Sequence, residues 1–542
     1  MLSTMQDGQL SLARLLRHGT TVHSQGEVIT WTGSEGRRQN YGELGRQAAR
    51  LANALRGLGI NGDQRVGTFM WNNAEHLVAY AAIPAMGAVL HTLNIRLFPE
   101  QLVFVANHAE DQVIIVDGTL VPLLAKQLPK MTTVRHVIVA NGDAATLRAP
   151  EGIEVHSYDE LLSGQSDEFD WPEVDERSAA AMCYTSGTTG DPKGVAYSHR
   201  SIWLHSMQIC MSDSMRLAQG DKALVIVPMF HAMSWGMPYA ALMVGASLVM
   251  PDRFLQPAPV AQILAAERPD FAAAVPTVWQ GLLQHLEGNS QDISHLREVV
   301  IGGSAVPPSM MHTFDERHNV QVVHAWGMTE TSPLGTVARP PSWATGEEAW
   351  AYRYTQGRFP ASVTARLIDD SGDVLPWDGE SVGELEVTGP WVAGSYCGGN
   401  DIDPDKFHDG WLRTGDVGKI TPDGFLTLTD RAKDVIKSGG EWISSVDLEN
   451  QVMGHPAVAE AAVVGIPDEK WDERPLVAVV VKEGHRVTAE ELRDYLADKV
   501  AKWQLPENWT FLEEVPKTSV GKFDKKRLRA FHNEGKLDIA QL

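Results

Sequence analysis

At 542 residues the chain is too long for a single hydrophobic core and calls for two or three domains, and an apolar share of 43% with 21% charged residues is ordinary for a globular enzyme in water. Forty-six Lys and Arg against sixty-nine Asp and Glu leave a net charge of −23, which argues against nucleic acid as the main partner. Cys183, Cys210 and Cys397 stand far apart, with no zinc spacing and no disulfide framework, so a reducing cytoplasm is the expected location. The first nineteen residues lack a basic segment followed by an apolar run, so no secretory signal is expected. Residues 223–251 carry no formal charge, yet Pro228, His231, Ser234, Gly236 and Pro238 would break or burden a membrane helix. That segment reads as a buried strand, a turn and a core helix.

Residues 41–58 place Leu51, Leu55 and Leu58 at helical spacing, and Gly59 ends the helix. A strand at 65–70, a helix at 74–85 and a strand at 88–90 follow, then a helix at 99–108, a strand at 113–116, a helix at 121–127 and a strand at 136–139. This rhythm predicts a layered α/β domain with parallel strands. Residues 142–170 are polar and punctuated and read as a surface connection.

Residues 184–194, YTSGTTGDPKG, set Thr185, Ser186, Thr188 and Thr189 among Gly187, Gly190 and Gly194, with Lys193 behind Pro192. Glycines let successive N–H groups face one concavity, the hydroxyls add donors and the lysine adds a point charge, a composition suited to phosphate. Lys193 is followed by Gly194 and no helix pattern opens there, so this is not the nucleotide loop G-x-x-x-x-G-K-[ST]. A loop between two strands is expected. The residue order resembles the phosphate-binding signature of adenylate-forming enzymes: acyl-CoA synthetases, luciferases and the adenylation domains of peptide synthetases. The resemblance implies that Thr185, Ser186, Gly187, Thr188, Thr189 and Lys193 hold the nucleotide, Thr185 also serving catalysis and the metal.

Residues 199–217 read as a helix and 224–227 as a strand. His231 follows; in the resembled family the matching histidine lies by the acid carboxylate and the entry route of the thiol. Trp235 stands at the head of the next predicted helix. In bacterial medium- and long-chain fatty acyl-CoA synthetases, which the chain resembles most, the matching tryptophan gates the acyl tunnel. Val275, Pro276 and Thr277, then Gly302, Gly303 and Ser304, suit the walls of such a tunnel, because glycines let a ligand approach the backbone. A short strand at 320–323 leads into His324, Ala325, Trp326, Gly327, Met328, Thr329 and Glu330, at the carboxyl end of a strand where ligands bind. Trp326 offers a face for adenine, Thr329 a hydroxyl and Glu330 a carboxylate for Mg²⁺. Residues 361–387 change to short strands with acidic and glycine turns, an antiparallel β unit.

Asp416, ordinarily a turn residue after Gly415, resembles the acid that accepts both ribose hydroxyls. Residues 430–443, DRAKDVIKSGGEWI, resemble the domain hinge of the family. There Arg431 would contact the ribose and Lys433 would be the pivot, while Lys437, Ser438, Gly439, Gly440, Glu441 and Trp442 would face the coenzyme A channel in one domain orientation. Helices at 446–453 and 489–496 and strands at 458–466 and 475–481 predict a small α+β domain, and Lys522 in P-K-T-S-V-G-K matches the catalytic lysine of the family. The expected fold is α/β: an N-terminal domain over 1–430 that binds ATP and the acid and includes a β-barrel-like subdomain, a hinge over 431–437 and a small mobile α+β domain over 438–542.

The resemblance runs over essentially the full chain and implies an ATP-dependent, AMP-forming fatty acyl-CoA ligase with Lys522, Glu330, Thr185 and His231 as catalytic groups. Mg²⁺ would sit on Thr185 and Glu330. The acid would be held by His231, Trp235, Val275, Pro276, Thr277, Gly303 and Met328. Coenzyme A would be the acceptor, a homodimer the assembly, and neither nucleic acid nor a transmembrane segment is expected, which leaves room for peripheral membrane contact. Alternatives are a CoA ligase for a short thioether or aryl acid, an acyl-AMP ligase that delivers to a carrier protein, luciferase-like oxidation, and a non-catalytic nucleotide-binding scaffold. Lys193, Glu330, Asp416, Arg431 and Lys522 together argue against the scaffold.

Overall fold

The computed structural model describes residues 1, 3–185, 191–369, 371–398, 403–438, 441–468, 470–518 and 521–542. Among these, strands form three sheets. The first runs Glu154–Ser157, His136–Ala140, Asp111–Asp117, Arg65–Phe69, Val89–Thr92, Ala179–Tyr184, Gly194–Ser198, parallel until the last pair. The second has a parallel half, Glu27–Trp31, Ser247–Met250, Lys222–Val225, Phe271–Ala274, Glu298–Gly302 and Gln321–Gly327.

Helices fill the space between these sheets. In Tyr41–Gly57 the side chain of Asn40 accepts the Glu43 N–H, and Leu44, Ala48, Leu51, Ala52 and Leu55 bury one stripe, as the heptad-like spacing requires. Helix Ala74–Ala85 is buried on every side, which fits its nearly uninterrupted apolar sequence. Both contribute to one core that also takes in Val66 and Val113 from the first sheet and Val28 and Leu248 from the second. Helices such as Pro99–His108 and Pro276–Gly288 cover the outer faces.

The antiparallel unit expected after residue 361 is continuous with this second sheet. Strand Gln321–Gly327 pairs antiparallel with Leu334–Val337, and the ladder goes on through Gly357–Arg358, Phe425–Arg431, Trp411–Ile420 and Gly383–Thr388 to Thr364–Ile368. Asp416 accordingly lies inside a strand rather than in a turn. Pairing with Arg431 across the ladder outweighs the local turn preference. The third sheet, which includes Ile436–Ser438, Asp472–Val481 and Asn508–Phe511, packs helices Ser445–Met453 and Ala489–Leu496 around a core of Leu448, Val463, Leu492 and Trp509, and helix Lys525–Asn533 through Leu528 against a second cluster with Ala462, Val464 and Leu476.

Three local expectations change. The helix expected over 199–217 ends at Cys210, where Met211 turns extended at φ −67°, ψ 151°. The connection over 142–170 contains strand Glu154–Ser157 and helix Tyr158–Ser163, started by Ser157, whose hydroxyl accepts the Glu160 N–H. Trp235 does not head a helix. Ala232, Met233, Ser234 and Trp235 have φ of 42°, 53°, 52° and 54°, a left-handed turn closed by Gly236 at 76° before helix Met237–Val244 begins. Left-handed backbone costs about 1 kcal/mol or more for each residue with a Cβ, so the surroundings must hold it.

Candidate active site

The surroundings do hold it. Asn72 donates to the carbonyls of Val225 and Val227 at 2.7 and 2.8 Å and accepts the Met229 N–H at 2.8 Å, while the Tyr80 hydroxyl donates to the Met229 carbonyl. The Ser234 hydroxyl donates to the Val227 carbonyl at 2.7 Å. The segment that carries His231 and Trp235 is thereby pinned from both flanks. It forms one wall of a cavity of about 860 Å³ at the carboxyl ends of the parallel strands of the second sheet.

The same cavity gathers residues that lie far apart in the chain. His231, Trp235, Val275, Pro276 and Thr277 line one end, with Gly302, Gly303 and Ser304 beside them. His324, Ala325, Trp326, Gly327, Met328, Thr329 and Glu330 form the floor. Thr185 and Lys193 reach it from the first sheet, Asp416 and Arg431 from the antiparallel ladder, and Lys433 and Lys522 from beyond it. Ser186, Gly187, Thr188, Thr189, Gly439 and Gly440 lie outside the described residues, as do the side chains of Glu441 and Trp442. Lys437 and Ser438 do not line the cavity. They sit on strand Ile436–Ser438, where the Lys437 N–H reaches Glu473 and the Ser438 hydroxyl accepts from Arg474.

Polar groups in the cavity are mutually ordered. Trp326 Nε1–H donates to Asp416 Oδ2 at 2.9 Å, and Arg431 Nε stands 2.8 Å from Oδ1. Each carboxylate oxygen keeps a second lone pair, so Asp416 can still accept two hydroxyl groups. Gly335 is required behind Trp326, since a Cβ there would come within 2.4 Å of the indole. Tyr396 donates its hydroxyl to Glu330 Oε1 at 2.5 Å and lies under Lys193, whose Nζ is 4.9 Å from the ring centre and 3.2 Å from Asp403. Lys406, half-buried, donates to the Thr414 carbonyl at 3.3 Å, and burial lowers its pKa.

Lys522 lies on a tight loop. The Thr518 N–H donates to the Lys522 carbonyl at 2.7 Å and the Lys522 N–H to Thr518 Oγ1 at 3.2 Å. Its side chain crosses the space left by Gly303, where a Cβ would stand 3.3 Å from Lys522 Cε. Burial, then the neighbouring Arg431, lowers its pKa to about 8, with Asp416 and Glu330 pulling the other way. His231 is held neutral, lowered to about 3 by burial and by the positive charges of Lys522 and Arg96. Burial likewise brings His324 to about 4.

The small domain docks through few contacts. Thr277 Oγ1 donates to the Gly521 carbonyl at 3.1 Å, one residue before the lysine. Asp430 accepts from the Ser445 N–H and hydroxyl at 2.7 and 2.6 Å, Lys525 bridges Ser445 and Glu449, and Arg529 pairs with Asp434 at 2.7 Å. Asn72, Tyr80, Tyr396, Lys406 and Arg96 were not singled out from the sequence. Lys406 alone had a local signal, its place in the acidic D-P-D-K-F run shortly before Asp416.

The arrangement joins an apolar slot to a bed of oxygen donors and cations, in a chain whose net charge is −23. It suits a nucleotide phosphate beside an apolar acid. Residues 17–397 match the family model for AMP-binding enzymes, and residues 447–522 match that for the AMP-binding enzyme C-terminal domain. Among curated relatives, a medium-chain-fatty-acid–CoA ligase of Ectopseudomonas oleovorans is 44% identical over 98% of this chain and 97% of its own length. A 3-methylmercaptopropionyl-CoA ligase of Ruegeria lacuscaerulensis is 43% identical over 98% of both. The solved structure of an anthranilate CoA ligase in complex with anthranoyl-AMP superposes with a TM-score of 0.88 over 99% of this chain and all of that one, at 23% identity. The chain therefore belongs to the AMP-binding enzyme family, as an AMP-forming acid–thiol ligase.

Proposed function

We propose that this ligase joins a medium- or long-chain fatty acid to coenzyme A through an acyl-adenylate. The observation that carries the reading is the approach of Lys522 to Gly303 in the cavity that also holds Asp416, Glu330 and the apolar slot beside Trp235. The nucleotide bed supplies Trp326 for adenine and Asp416, with Arg431, for the ribose. Lys193 and the loop before it would hold the outer phosphates. Glu330 and Thr185, which both line the cavity, offer hard oxygen donors of a kind that fits Mg²⁺, which when bound would neutralise phosphate charge.

The acid carboxylate attacks the α-phosphorus, the bond to the bridging oxygen breaks, and pyrophosphate leaves. Lys522, protonated below about pH 8, would orient the carboxylate and offset the charge that develops. Neutral His231 adds no charge that would trap the anion. The second step, attack of the thiol on the acyl carbon with loss of AMP, needs an open path. A rotation about Lys433 would withdraw Lys522 and bring the strand from Ile436 to Ser438, which does not line the cavity, to its mouth.

Ile226, Val227, Met215 and Leu334 give the slot apolar walls that suit an alkyl chain. A short thioether acid is the second reading, because the methylmercaptopropionyl-CoA ligase relative matches almost as well as the fatty-acid one. Release of AMP and pyrophosphate with ATP, Mg²⁺ and coenzyme A, measured across saturated acids from acetate to octadecanoate and with 3-methylmercaptopropionate, decides between them. A maximum at medium or long chains is expected. A maximum at the thioether acid supports the second reading, and pyrophosphate exchange without coenzyme-dependent turnover would move the acceptor to a carrier protein.

A further inference from the structure

Far from the cavity, the edge of the first sheet brings together two imidazoles and a carboxylate. Strands His136–Ala140 and Glu154–Ser157 pair in parallel, with His136 opposite Glu154 and Ile138 opposite His156. Paired residues in a parallel ladder share a face, and so do residues two apart on one strand, so His136, Glu154 and His156 project together. Among the described residues this is the one place where three such donor atoms lie within 4.8 Å of one another.

The three atoms are His136 Nδ1, His156 Nε2 and Glu154 Oε2. Their separations are 3.2 Å between the nitrogens, 3.4 Å from Glu154 to His136 and 3.8 Å from Glu154 to His156. A triangle with those sides is inscribed in a circle of radius about 2.0 Å, which is the bond length of Zn²⁺ to imidazole nitrogen and carboxylate oxygen. The rings are about four-fifths sheltered, at 19% and 20% side-chain exposure, while Glu154 is 71% exposed, so a metal could enter from solvent and keep water in a fourth position. Two imidazoles and one carboxylate suit Zn²⁺, with Ni²⁺ and Cu²⁺ as competitors, and disfavour Mg²⁺ and Ca²⁺, which take oxygen ligands.

We propose that His136, Glu154 and His156 form a surface site for a divalent transition metal of the Zn²⁺ class, tying the edge strand of the first sheet to its neighbour. The site is independent of the ligase reaction, since none of the three residues lines the cavity.

The test uses the full chain, freed of metal by a chelator and titrated with ZnCl₂ in a buffer that already contains millimolar Mg²⁺ to fill oxygen-only sites. Zinc retained per chain after desalting is compared between the wild type, the double variant His136→Ala/His156→Ala and Glu154→Gln. The wild type is expected to hold one more Zn²⁺ than the double variant, and Glu154→Gln to bind about tenfold more weakly or worse. Co²⁺ in place of Zn²⁺ should give visible absorption in the wild type that the double variant lacks. The melting temperature should rise with Zn²⁺ only where the site is intact. If the double variant does not fold, the exposed Glu154→Gln change still reads the site. Equal zinc in wild type and Glu154→Gln at limiting metal, or none retained by the wild type, overturns the proposal.

Discussion

The two sides of the active-site cavity are built in opposite ways. The wall with His231 and Trp235 grows out of the main core, its left-handed turn pinned by buried hydrogen bonds from Asn72, Tyr80 and Ser234. The Lys522 loop arrives from the small domain and meets the cavity through the Thr277 hydroxyl, which donates to the Gly521 carbonyl, while elsewhere in that domain Ser445 is held by Asp430 on the antiparallel ladder. Under the proposed mechanism, the difference separates what the site must always present from what it needs for one step only. A binding wall can be rigid, whereas a group used for adenylation and unwanted afterwards must be able to leave.

That contrast can be broken from either side. Lys522→Ala should lower acid-dependent pyrophosphate exchange on the order of a thousandfold while thioester formation from supplied acyl-adenylate stays near wild type; equal loss in both assays would remove the lysine from its assigned step. Asn72→Ala leaves two carbonyls and one N–H without their partner, a cost of about 3 kcal/mol, so the melting temperature should drop and both half-reactions should fall together. A loss confined to adenylation would show that the wall is not shared.

The pH dependence sharpens the same division. In the proposed mechanism Lys522 acts as a cation, and its pKa is lowered to about 8, chiefly by burial, so kcat/KM for adenylation should fall about tenfold per unit above that pH. Thioester formation from supplied adenylate should lack this limb, and Lys522→Arg should abolish it in the first step. Thr277→Val removes one interdomain hydrogen bond worth about 1 kcal/mol and should slow adenylation about fivefold with little change in the second step. Trp235→Ala should make the smallest change in rate, shifting the preferred acid length while the KM for ATP holds steady. An unchanged preference would take Trp235 out of the acid slot.

Much of this was legible in the chain because the motifs are local. His324 to Glu330, Thr185 to Lys193 and the loop of Lys522 are each short runs, and the cavity is lined by His324 to Glu330, by Thr185, Asp191 and Lys193, and by Thr518, Gly521 and Lys522. The alternation of strands and helices before residue 140 was readable for the same reason, since periodicity needs no distant partner. What stayed hidden depends on contacts across the fold. Asn72 reaches Val225 over 153 residues and Tyr396 reaches Glu330 over 66, distances at which no spacing rule applies. Trp235 was expected at the head of a helix, whereas the left-handed turn from Ala232 to Trp235 is held by hydrogen bonds from Asn72 and Tyr80, which lie more than 140 residues away in the chain. Asp416 read as a turn residue because its partner, Arg431, lies on the next strand.

The ladder that carries Asp416 ends at Arg431, and Lys433 comes two residues later. A swing about Lys433 would therefore leave Asp416 and Arg431, the two residues proposed to face the ribose, on the stationary side of the joint. The adenylate could stay moored by its sugar while one set of tools is exchanged for the other, so the reactive mixed anhydride need not be set adrift in water between the two halves of the reaction.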